Sequence, residues 1–370
     1  MHDKITVTKP SLPPLEEFIP YLEQIWDNKW LTNNGPFHQQ LEKELADYLG
    51  VKYISLFCNG TIALIAALQA LNIQGEVITT PFTFAATTHA LWWNKAIPVF
   101  VDIEPQYMNL DPDKIEAAIT DKTTAIMPVH VYGNPCQTEK IQQIADKYNL
   151  KVIYDAAHAF GVKKNGVSIL NSGDLSVLSF HATKVFSTIE GGAIISHTPE
   201  MKHHIDNLKN FGFRGETVIE EPGINGKLNE VQAAYGLLQL KYVDEYVEKR
   251  KNIARFYRCL LKDVEGITFM EDMANVDHVY SYFPILVNER KCGMSRDELY
   301  EKLKKQNVLC RRYFYPLISD LEPYRDLISV RNENLSVAVE VAEQVLCLPI
   351  YVKMKVGDID FICRLVKNKQ

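Results

Sequence analysis

The stretch SFHATKVFSTIEGGAIIS, residues 179–196, places one lysine between two segments that have the composition of buried strands. Lys184 follows an apolar run that ends at Ser179, and a Glu-Gly-Gly turn then leads into the run AIIS. Lysine is seldom fully buried without a partner, so a lysine at this position either reaches solvent or is held for chemistry. From this stretch alone, a surface lysine in a loop between strands is the commoner outcome.

The segments before this stretch alternate between short strands and helices. The runs EVITT, IPVFVDI, TTAIMPVH, KVIYDAA and LSVLSF are rich in Val and Ile, and helical segments such as LDPDKIEAAI and QTEKIQQIADKYNL separate them. Apolar strands that alternate with helices predict a mainly parallel sheet that is covered on both faces. The predicted fold class is therefore α/β.

Periodicity and caps place several helices and a domain boundary. Apolar residues at positions 37, 41, 45 and 49 predict a helix that ends at Gly50. Asp111 before Pro112 predicts an N-cap, and Ser295 with Glu298 forms a capping-box pattern. One long helix or two consecutive helices are predicted after Gly226, followed by a second α+β segment. We predict a large domain over residues 1–245 and a smaller C-terminal α+β domain over residues 246–370.

Composition excludes several classes of partner. The 370 residues carry a formal net charge of −6 without long runs of one sign, so neither nucleic acid nor an anionic membrane is an expected partner. The seven cysteines form no C-x-x-C pair and no zinc-type spacing, so we expect reduced core cysteines and no metal site. Neither a signal peptide nor a membrane-spanning run is recognised, and a cytoplasmic location is predicted.

Polar residues follow three of the predicted strands. Asp155 ends one strand with His158 three residues later, and Ser179, His181 and Lys184 follow another. The segment Asn59-Gly60-Thr61 lies between a strand and a helix, where free backbone N–H groups can bind a phosphate. Ligands of open parallel sheets bind at the carboxyl ends of strands, so these residues are expected to converge. Taken singly, an N-cap, a turn carboxylate and a structural histidine are the commoner interpretations.

Taken together, these residues are the set that pyridoxal 5′-phosphate chemistry requires. A lysine can form a Schiff base with an aldehyde, and a carboxylate can hold the N–H of a pyridinium ring. A nicotinamide dehydrogenase is disfavoured because no G-x-G-x-x-G segment follows a strand.

The chain resembles nucleotide-sugar aminotransferases of the DegT type, which share the fold type I architecture of aspartate aminotransferase. The likeness covers nearly the whole chain and rests on many segments in order: NGTIALIAAL, TTPFTFAATTHAL, VFVDIEP, MPVHVYGNP, YDAAHAFG, SFHATKVFSTIEGGAI, NGKLNEVQAAYGLLQL and RRYFYPL. The resemblance implies a large domain with a mainly parallel, seven-stranded sheet between helices, a smaller C-terminal domain, and pyridoxal 5′-phosphate as cofactor.

The resemblance also implies a role for individual residues. Lys184 matches the lysine that bonds to the cofactor, Asp155 the partner of its ring nitrogen, and His158 the residue near its phenolic oxygen. The matches to phosphate and ring contacts are Gly60, Thr61, Ser179 and Phe84. Asn225 matches an asparagine that reaches the phosphate of the neighbouring subunit, which implies a homodimer with shared sites; read alone, its segment is equally an Asn-Gly turn. Substrate contacts are suggested at His181, Arg312 and Tyr313. Arg311 and Tyr315 in the same segment RRYFYPL are alternatives, and arginines packed on a surface strand are the commoner interpretation.

The resemblance further narrows the expected reaction. Lys184 is retained where some relatives carry His, which favours transamination, and the lysine loop resembles the branch that aminates C4 of dTDP-4-keto-6-deoxyglucose. L-Glutamate is the implied amino donor, and the product is a dTDP-4-amino-4,6-dideoxy sugar for cell-surface polysaccharide such as O-antigen. A C3-aminotransferase acting on a dTDP-3-keto-6-deoxyhexose and a non-catalytic regulator with the same fold remain alternatives.

Overall fold

A seven-stranded sheet lies at the centre of the computed structural model, which describes residues 4–330 and 334–367. The strands, numbered in chain order, are β1 Ile5–Thr6, β2 Tyr53–Phe57, β3 Glu76–Thr79, β4 Ile97–Phe100, β5 Thr123–Ile126, β6 Lys151–Asp155, β7 Lys163–Lys164, β8 Val167–Ser168, β9 Leu175–Ser179, β10 Gly192–Ser196, β11 Phe213–Arg214, β12 Val218–Ile219, β13 Ile267–Phe269, β14 Val276–Asp277, β15 Phe283–Val287, β16 Val308–Leu309 and β17 Val345–Leu348.

The helices cover the sheet and build the C-terminal part. They are α1 Leu15–Asn28, α2 Pro36–Leu49, α3 Gly60–Ala70, α4 Ala85–Trp93, α5 Thr138–Tyr148, α6 Pro199–Leu208, α7 Glu230–Leu240, α8 Val243–Leu261, α9 Glu289–Cys292, α10 Arg296–Lys305, α11 Ser336–Gln344 and α12 Val356–Lys367. Across the described ranges, no helix is both long and apolar enough to cross a bilayer.

The central sheet has the strand order β2-β10-β9-β6-β5-β3-β4, and only β10 runs antiparallel to its neighbours. Successive residues of β10 point to opposite faces of the sheet. Ala193 and Ile195 pack in one core cluster with α2 and α7, whereas Ile194 packs in another with α3. Helices therefore cover both faces, which confirms the predicted α/β class and the mainly parallel seven-stranded sheet.

Helix α2 shows how local sequence determines an element. Phe37, Leu41, Leu45 and Leu49 are all buried on one face, as the fourfold spacing predicts. Gly50 then adopts a left-handed conformation with φ of 65°, and its N–H bonds back to the carbonyls of the last turn. A residue with a Cβ is strained in that conformation, so the glycine ends the helix.

The structure differs from three local predictions. The segment LDPDKIEAAI forms two 3₁₀ turns, Pro112–Lys114 and Glu116–Ala118, because its amides bond to carbonyls three residues back around the buried Ile115. The run VLCRRYFYP, whose composition predicts a strand, contains only the two-residue strand β16. Cys259 is exposed, although all seven cysteines were expected in the core. The Asp111 cap and the Ser295 capping box are confirmed.

The C-terminal part has its own antiparallel sheet, β13-β15-β17, with α8, α10 and α12 packed in the same core cluster. Strand β1 pairs in parallel with β16, and Ile5 joins that cluster. The first strand of the chain therefore packs with the C-terminal part. The segment after Gly226 forms two helices, α7 and α8, and the boundary predicted at residue 245 falls in the first turn of α8. The domain division remains a prediction.

Candidate active site

The carboxyl ends of β2, β6 and β9 meet at one edge of the sheet. Strand β10 is antiparallel to both β2 and β9, so these two strands run in the same direction, and β6 is parallel to β9. A cavity of about 710 Å³ lies at this edge. Nine of the eleven residues proposed from the sequence line it: Gly60, Thr61, Phe84, Asp155, His158, Ser179, His181, Lys184 and Tyr313.

The first turn of α3 forms one wall of the cavity. Asn59 caps this helix, since its side-chain oxygen accepts from the N–H of Ile62 at 2.8 Å. The carbonyl of Asn59 accepts from Ala63 at 3.2 Å. Gly60 and Thr61 are the first two residues of the helix, before Ile62 and Ala63. Within the described chain, their N–H groups have no acceptor. They are available to an anion at the positive end of the helix dipole.

Two glycines let the backbone approach closely at this wall. A Cβ on Gly192 would lie 2.7 Å from the backbone of Asn59 and Gly60. A Cβ on Gly60 would lie 3.0 Å from the Cβ of Ser179. The start of β10, the end of β9 and the start of α3 therefore form a narrow cradle, in which Ser179 lies next to Gly60.

Lys184 is held in the wall of the cavity with its amine in a low-dielectric setting. Burial lowers the pKa of this amine from 10.5 to about 8, and the Asp155 carboxylate opposes the shift. The backbone N–H of Lys184 donates to the carbonyl of His181 at 2.9 Å, which fixes the turn that carries the side chain. A lysine with a pKa near 8 is partly neutral at physiological pH and can act as nucleophile and base.

Asp155 is buried at the end of β6 and is oriented by two hydrogen bonds. Thr87 Oγ1 donates to its Oδ2 at 2.7 Å, and the N–H of Ala157 donates to its Oδ1 at 3.1 Å. The Thr87 hydroxyl donates its one proton to Asp155. In the 2.8 Å hydrogen bond between the Thr83 and Thr87 hydroxyls, Thr83 is therefore the donor. Burial raises the pKa of Asp155, while these bonds and Lys184 act in the opposite direction.

His158 is buried and neutral, and its tautomer follows from one contact. The N–H of Tyr132 donates to His158 Nδ1 at 3.2 Å, so the ring proton sits on Nε2. Burial lowers the pKa of His158 well below its usual range, and the positive charge of Lys184 adds to the effect. Phe314 stacks parallel to the ring at 6.0 Å and Tyr282 meets it edge-on at 4.9 Å. His158 is thereby a rigid hydrogen-bond donor through Nε2.

The open side of the cavity is lined by more exposed groups. Phe84, directly before α4, is 61% exposed. His181 Nδ1 contacts the Thr183 hydroxyl at 2.8 Å, and its Nε2 lies 3.6 Å from Glu190. The carbonyl of Tyr313 accepts the Tyr132 hydroxyl. These groups leave one rim of the cavity accessible to a large substrate.

Two residues proposed from the sequence do not line the cavity. Arg312 donates to Asp297 at 2.8 Å, and its guanidinium lies 4.7 Å from the centre of the Tyr300 ring. Its neighbour Arg311 lines the cavity instead. Asn225 is exposed, and its backbone pairs with Asn210.

Sequence reasoning missed Thr83, Glu190 and Tyr282, which line the cavity, and Thr87, which donates to Asp155. The two threonines and Glu190 lie in segments that carry the family resemblance, but their side-chain contacts had no local signal. Tyr282 belongs to the C-terminal part, more than 120 residues from His158, so only the tertiary fold brings it here.

The residues present fit pyridoxal 5′-phosphate. The cradle without Cβ atoms and two free amides suits a phosphate, the buried Asp155 suits a ring N–H, and the Lys184 amine suits an aldehyde. Among residues 4–330 and 334–367, no group of three His, Cys, Asp or Glu side chains is placed to bind a metal ion.

Known proteins match this chain in sequence and in structure. A dTDP-4-amino-4,6-dideoxy-D-glucose transaminase of Shigella dysenteriae is 56% identical over 371 residues, covering 100% of both chains. The structure of DesI with its TDP-sugar product is 34% identical, with a TM-score of 0.95 over 99% of this chain and 93% of that one. A putative sugar aminotransferase of Streptococcus pneumoniae in its PLP form is 25% identical, with a TM-score of 0.91 over 99% and 98%.

These structural matches confirm the predicted fold type I architecture and extend over almost the whole chain. The profile of the DegT/DnrJ/EryC1/StrS aminotransferases matches residues 15–367, which include every residue of the cavity described above. The chain belongs to the DegT/DnrJ/EryC1/StrS aminotransferase family.

Proposed function

We propose that this protein is a pyridoxal-phosphate-dependent transaminase that moves the amino group of L-glutamate to C4 of dTDP-4-keto-6-deoxyglucose. The product is a dTDP-4-amino-4,6-dideoxy sugar for cell-surface polysaccharide. The 56% identity to the Shigella dysenteriae transaminase over both full lengths supports this substrate. The observation that carries the chemistry is the Lys184 amine, with its pKa lowered to about 8, in one cavity with Asp155 and the amides of α3.

Pyridoxal 5′-phosphate, when bound, supplies an aldehyde that carries the amino group and a ring that accepts electrons from the substrate C–H bond. The N–H groups of Gly60 and Thr61 and the hydroxyl of Ser179 would hold its phosphate. Asp155 would hold the ring nitrogen protonated, and His158 Nε2 would donate to the phenolic oxygen. Phe84, at the rim of the cavity, would cover one face of the ring.

Lys184 is the residue that moves protons. Its Nζ would take the α-proton of the amino donor and later return it, and it would act in the reverse direction for the ketosugar. A pKa of about 8 suits both roles, because the amine is neither fully protonated nor a weak base near neutral pH. One cavity thus serves two substrates in turn.

The nucleotide part of the substrate requires cationic or hydrogen-bonding groups at the rim. Arg311 and His181 line the cavity and are the groups we assign to the sugar nucleotide, with Tyr313 beside them. Arg312, which the sequence suggested, is engaged by Asp297 and would contribute indirectly. The cytoplasmic location predicted from the sequence is retained as part of this proposal.

The experiment is a product analysis with purified protein. We expect a yellow protein, covalent attachment of the cofactor to the Lys184 peptide after borohydride reduction, and a 4-amino product by mass spectrometry from dTDP-4-keto-6-deoxyglucose and glutamate. Turnover of a 3-ketosugar in its place would favour the C3-aminotransferase alternative. Cofactor binding without turnover of any ketosugar would favour the regulator alternative.

We further propose a homodimer in which Asn225 of one subunit contacts the cofactor phosphate of the other. Two observations support this arrangement. Asn225 is exposed and lies outside the cavity of its own chain, and Phe84 is exposed at the rim of that cavity, so both side chains are free to contact another subunit. Trp92 and Trp93, at the end of the same helix α4, are 56% and 77% exposed, which is unusual for indole rings on a monomer.

Mixed dimers of Lys184→Ala and Asn225→Ala chains test this arrangement. If the site is shared, one site of each mixed dimer carries both lesions and the other carries neither, so half of the sites recover. If Asn225 acts within its own subunit, every site carries one lesion and no recovery appears. The test uses an Asn225→Ala homodimer shown beforehand to be impaired, as the loss of a hydrogen bond to a charged group predicts.

A further inference from the structure

A second cavity, of about 230 Å³, adjoins the active site. Lys184 belongs to the walls of both cavities. The second cavity lies between the N-terminal segment that includes Ser11, the loop after Lys184, and helices α7 and α8. Its wall contains Ser187, Tyr235 and Gln239, and its charged members among the described residues are Lys184 and Arg250. The cavity is therefore cationic and holds no acidic group.

Arg250, on α8, is 3% exposed and incompletely paired. Its Nη1 donates to the carbonyls of Tyr280 at 3.3 Å and Ile350 at 3.2 Å. Its Nε is buried and finds no acceptor within residues 4–330 and 334–367. Burial lowers the pKa of Arg250 from 12.5 to about 10, so the guanidinium is charged at neutral pH. No carboxylate of the described chain forms an ion pair with it.

Arg296 is a second buried arginine of this protein, and its charge is paired with a carboxylate. It is also 3% exposed, and its Nη1 also donates to two carbonyls, those of Ala342 and Val345. Its Nε, however, donates to Asp297 at 2.7 Å. Arg250 likewise donates to two backbone carbonyls, but no carboxylate of the described residues pairs with its guanidinium. A buried charge without a counter-charge is costly, so an anion is expected to complete the site around Arg250.

We propose that Arg250 binds a carboxylate of the amino donor. This inference rests on the proposed function, because the donor of a transaminase must place its amino group beside the cofactor at Lys184. A carboxylate in the second cavity would lie next to Lys184, which is the geometry an amino acid requires. The sugar nucleotide carries no carboxylate, so the cavity serves the first half of the reaction and not the second.

Binding of glutarate to the purified holoenzyme tests the proposal without measuring turnover. Isothermal titration calorimetry should detect glutarate, a dicarboxylate without an amino group, and should detect no binding of its neutral diamide. Arg250→Met should weaken glutarate binding by about tenfold or more, the range for a lost hydrogen bond to a charged group. Arg250→Lys should retain part of the affinity, since it keeps the charge and loses the planar fork. Equal affinity in the wild type and a folded Arg250→Met variant would overturn the proposal.

Ser11→Asp provides a test that leaves Arg250 and its carbonyl contacts intact. Ser11 is partly exposed and lines the cavity, so an aspartate there supplies the missing counter-charge from within the chain. We expect a higher melting temperature and loss of glutarate binding. Thr8→Asp, in the same segment but outside the cavity wall, is the matched control and should change neither. Unchanged glutarate binding in Ser11→Asp would count against the site even if Arg250→Met does not fold.

The same samples separate this inference from the proposed function. If borohydride attaches the cofactor to Lys184 and the ketosugar is aminated, but glutarate binds independently of Arg250, only the carboxylate site is wrong. If glutarate binding depends on Arg250 but the holoenzyme aminates no ketosugar, the proposed function is wrong and the anion site remains.

Discussion

Lys184, partly exposed at the cavity wall, and Lys209, which is buried, both have carboxylates nearby, and their environments shift their pKa values in opposite directions. Burial lowers the pKa of Lys184, and the one carboxylate that acts on it, Asp155, does not reverse the shift. Lys209, 6% exposed, also experiences burial, but Glu42 and Asp206 raise its pKa above the usual 10.5. In this protein, the lysine without a direct carboxylate contact has the lowered pKa, and the lysine with two such contacts has the raised pKa.

The network around Lys209 joins three elements of the large sheet and its helices. Lys209 contacts Glu42 at 3.3 Å and Asp206 at 2.8 Å, and Lys202 donates to Glu42 at 2.9 Å. Glu42 also accepts from the N–H of Leu56 at 3.1 Å. It thereby links α2 to β2 and α6. Burial alone would raise the pKa of Glu42, but these cations lower it far below 4.5.

The active-site pair lacks such direct contacts. The two oxygens of Asp155 are occupied by Thr87 and Ala157, so the carboxylate is oriented toward the cavity without an ion pair to Lys184. Both groups keep unused bonding capacity that a ligand can take up. The network around Lys209 therefore contributes to stability, whereas Lys184 and Asp155 remain available for chemistry. Variants of both groups test this difference.

Lys184→Ala should have the largest effect. It removes both the group that bonds to the cofactor and the proton carrier, so kcat should fall by at least about 10⁴-fold, the upper range for general acid–base groups. The fold should be retained, because Lys184 stabilises little through pairing. Melting temperature and steady-state rate of the purified variant are the measurements. Turnover within tenfold of wild type would refute the assignment of Lys184.

Glu42→Gln should act on stability rather than on chemistry. Removing one carboxylate charge from a largely buried ion network leaves Lys209 paired with Asp206 alone and should cost about 2 kcal/mol of unfolding free energy. Urea unfolding measures this loss, and the folded fraction should keep its wild-type kcat. A variant of full stability would show that the network contributes nothing and that the contrast with Lys184 is not energetic.

The same network predicts a pH dependence. The folded-state pKa of Glu42 is lowered from 4.5, so its contribution is complete above that pH and is lost as the pH falls below it. Unfolding free energies of the wild type should therefore decrease below pH 4.5 more steeply than those of Glu42→Gln. Parallel curves for the two proteins would contradict the lowered pKa.

Asp155→Asn should impair chemistry with little change in stability. A neutral amide keeps the hydrogen bonds to Ala157 and Thr87 in part, but no longer favours a protonated ring nitrogen. We expect a roughly 10²-fold loss in kcat, as for other removed charge stabilisers. The cofactor should still bind, which its absorption spectrum reports. Wild-type turnover would mean that Asp155 is only a structural residue at the strand end.

Thr87→Val should have the smallest effect of the series. It removes the donor to Asp155 Oδ2 and keeps the shape of the side chain, so the carboxylate loses one of its two orienting bonds. We expect about a tenfold loss in kcat with an unchanged KM for the ketosugar, since a hydrogen bond to a charged group is lost. Thr88→Val, at a buried hydroxyl without a hydrogen-bond partner among the described residues, is the matched control. Equal effects from both variants would point to packing rather than to orientation of Asp155.

The sequence by itself determined the elements and the position of most of the site. Fourfold apolar spacing gave α2, a Ser-x-x-Glu box gave α10, and alternation of strands and helices gave the parallel sheet. Because parallel strands end at a common edge, the polar residues after three strand ends were expected to converge, and those proposed for the site all line one cavity: Gly60, Thr61, Asp155, His158, Ser179, His181 and Lys184. These features depend on local propensity and on a general rule of sheet topology.

Only the tertiary structure decided which charges are paired. The sequence singles out Lys184 by its position after a strand end, but it does not show that Lys184 is unpaired while Lys209 has two carboxylate partners. It likewise does not show that Arg296 has a carboxylate partner and Arg250 has none among the described residues, because each difference comes from a contact made in the fold. Arg311 and Arg312 are adjacent, yet only Arg311 faces the cavity. Ion pairing depends on atoms within a few ångströms that can be far apart along the chain, and desolvation depends on everything packed around them, so neither can be read from local sequence.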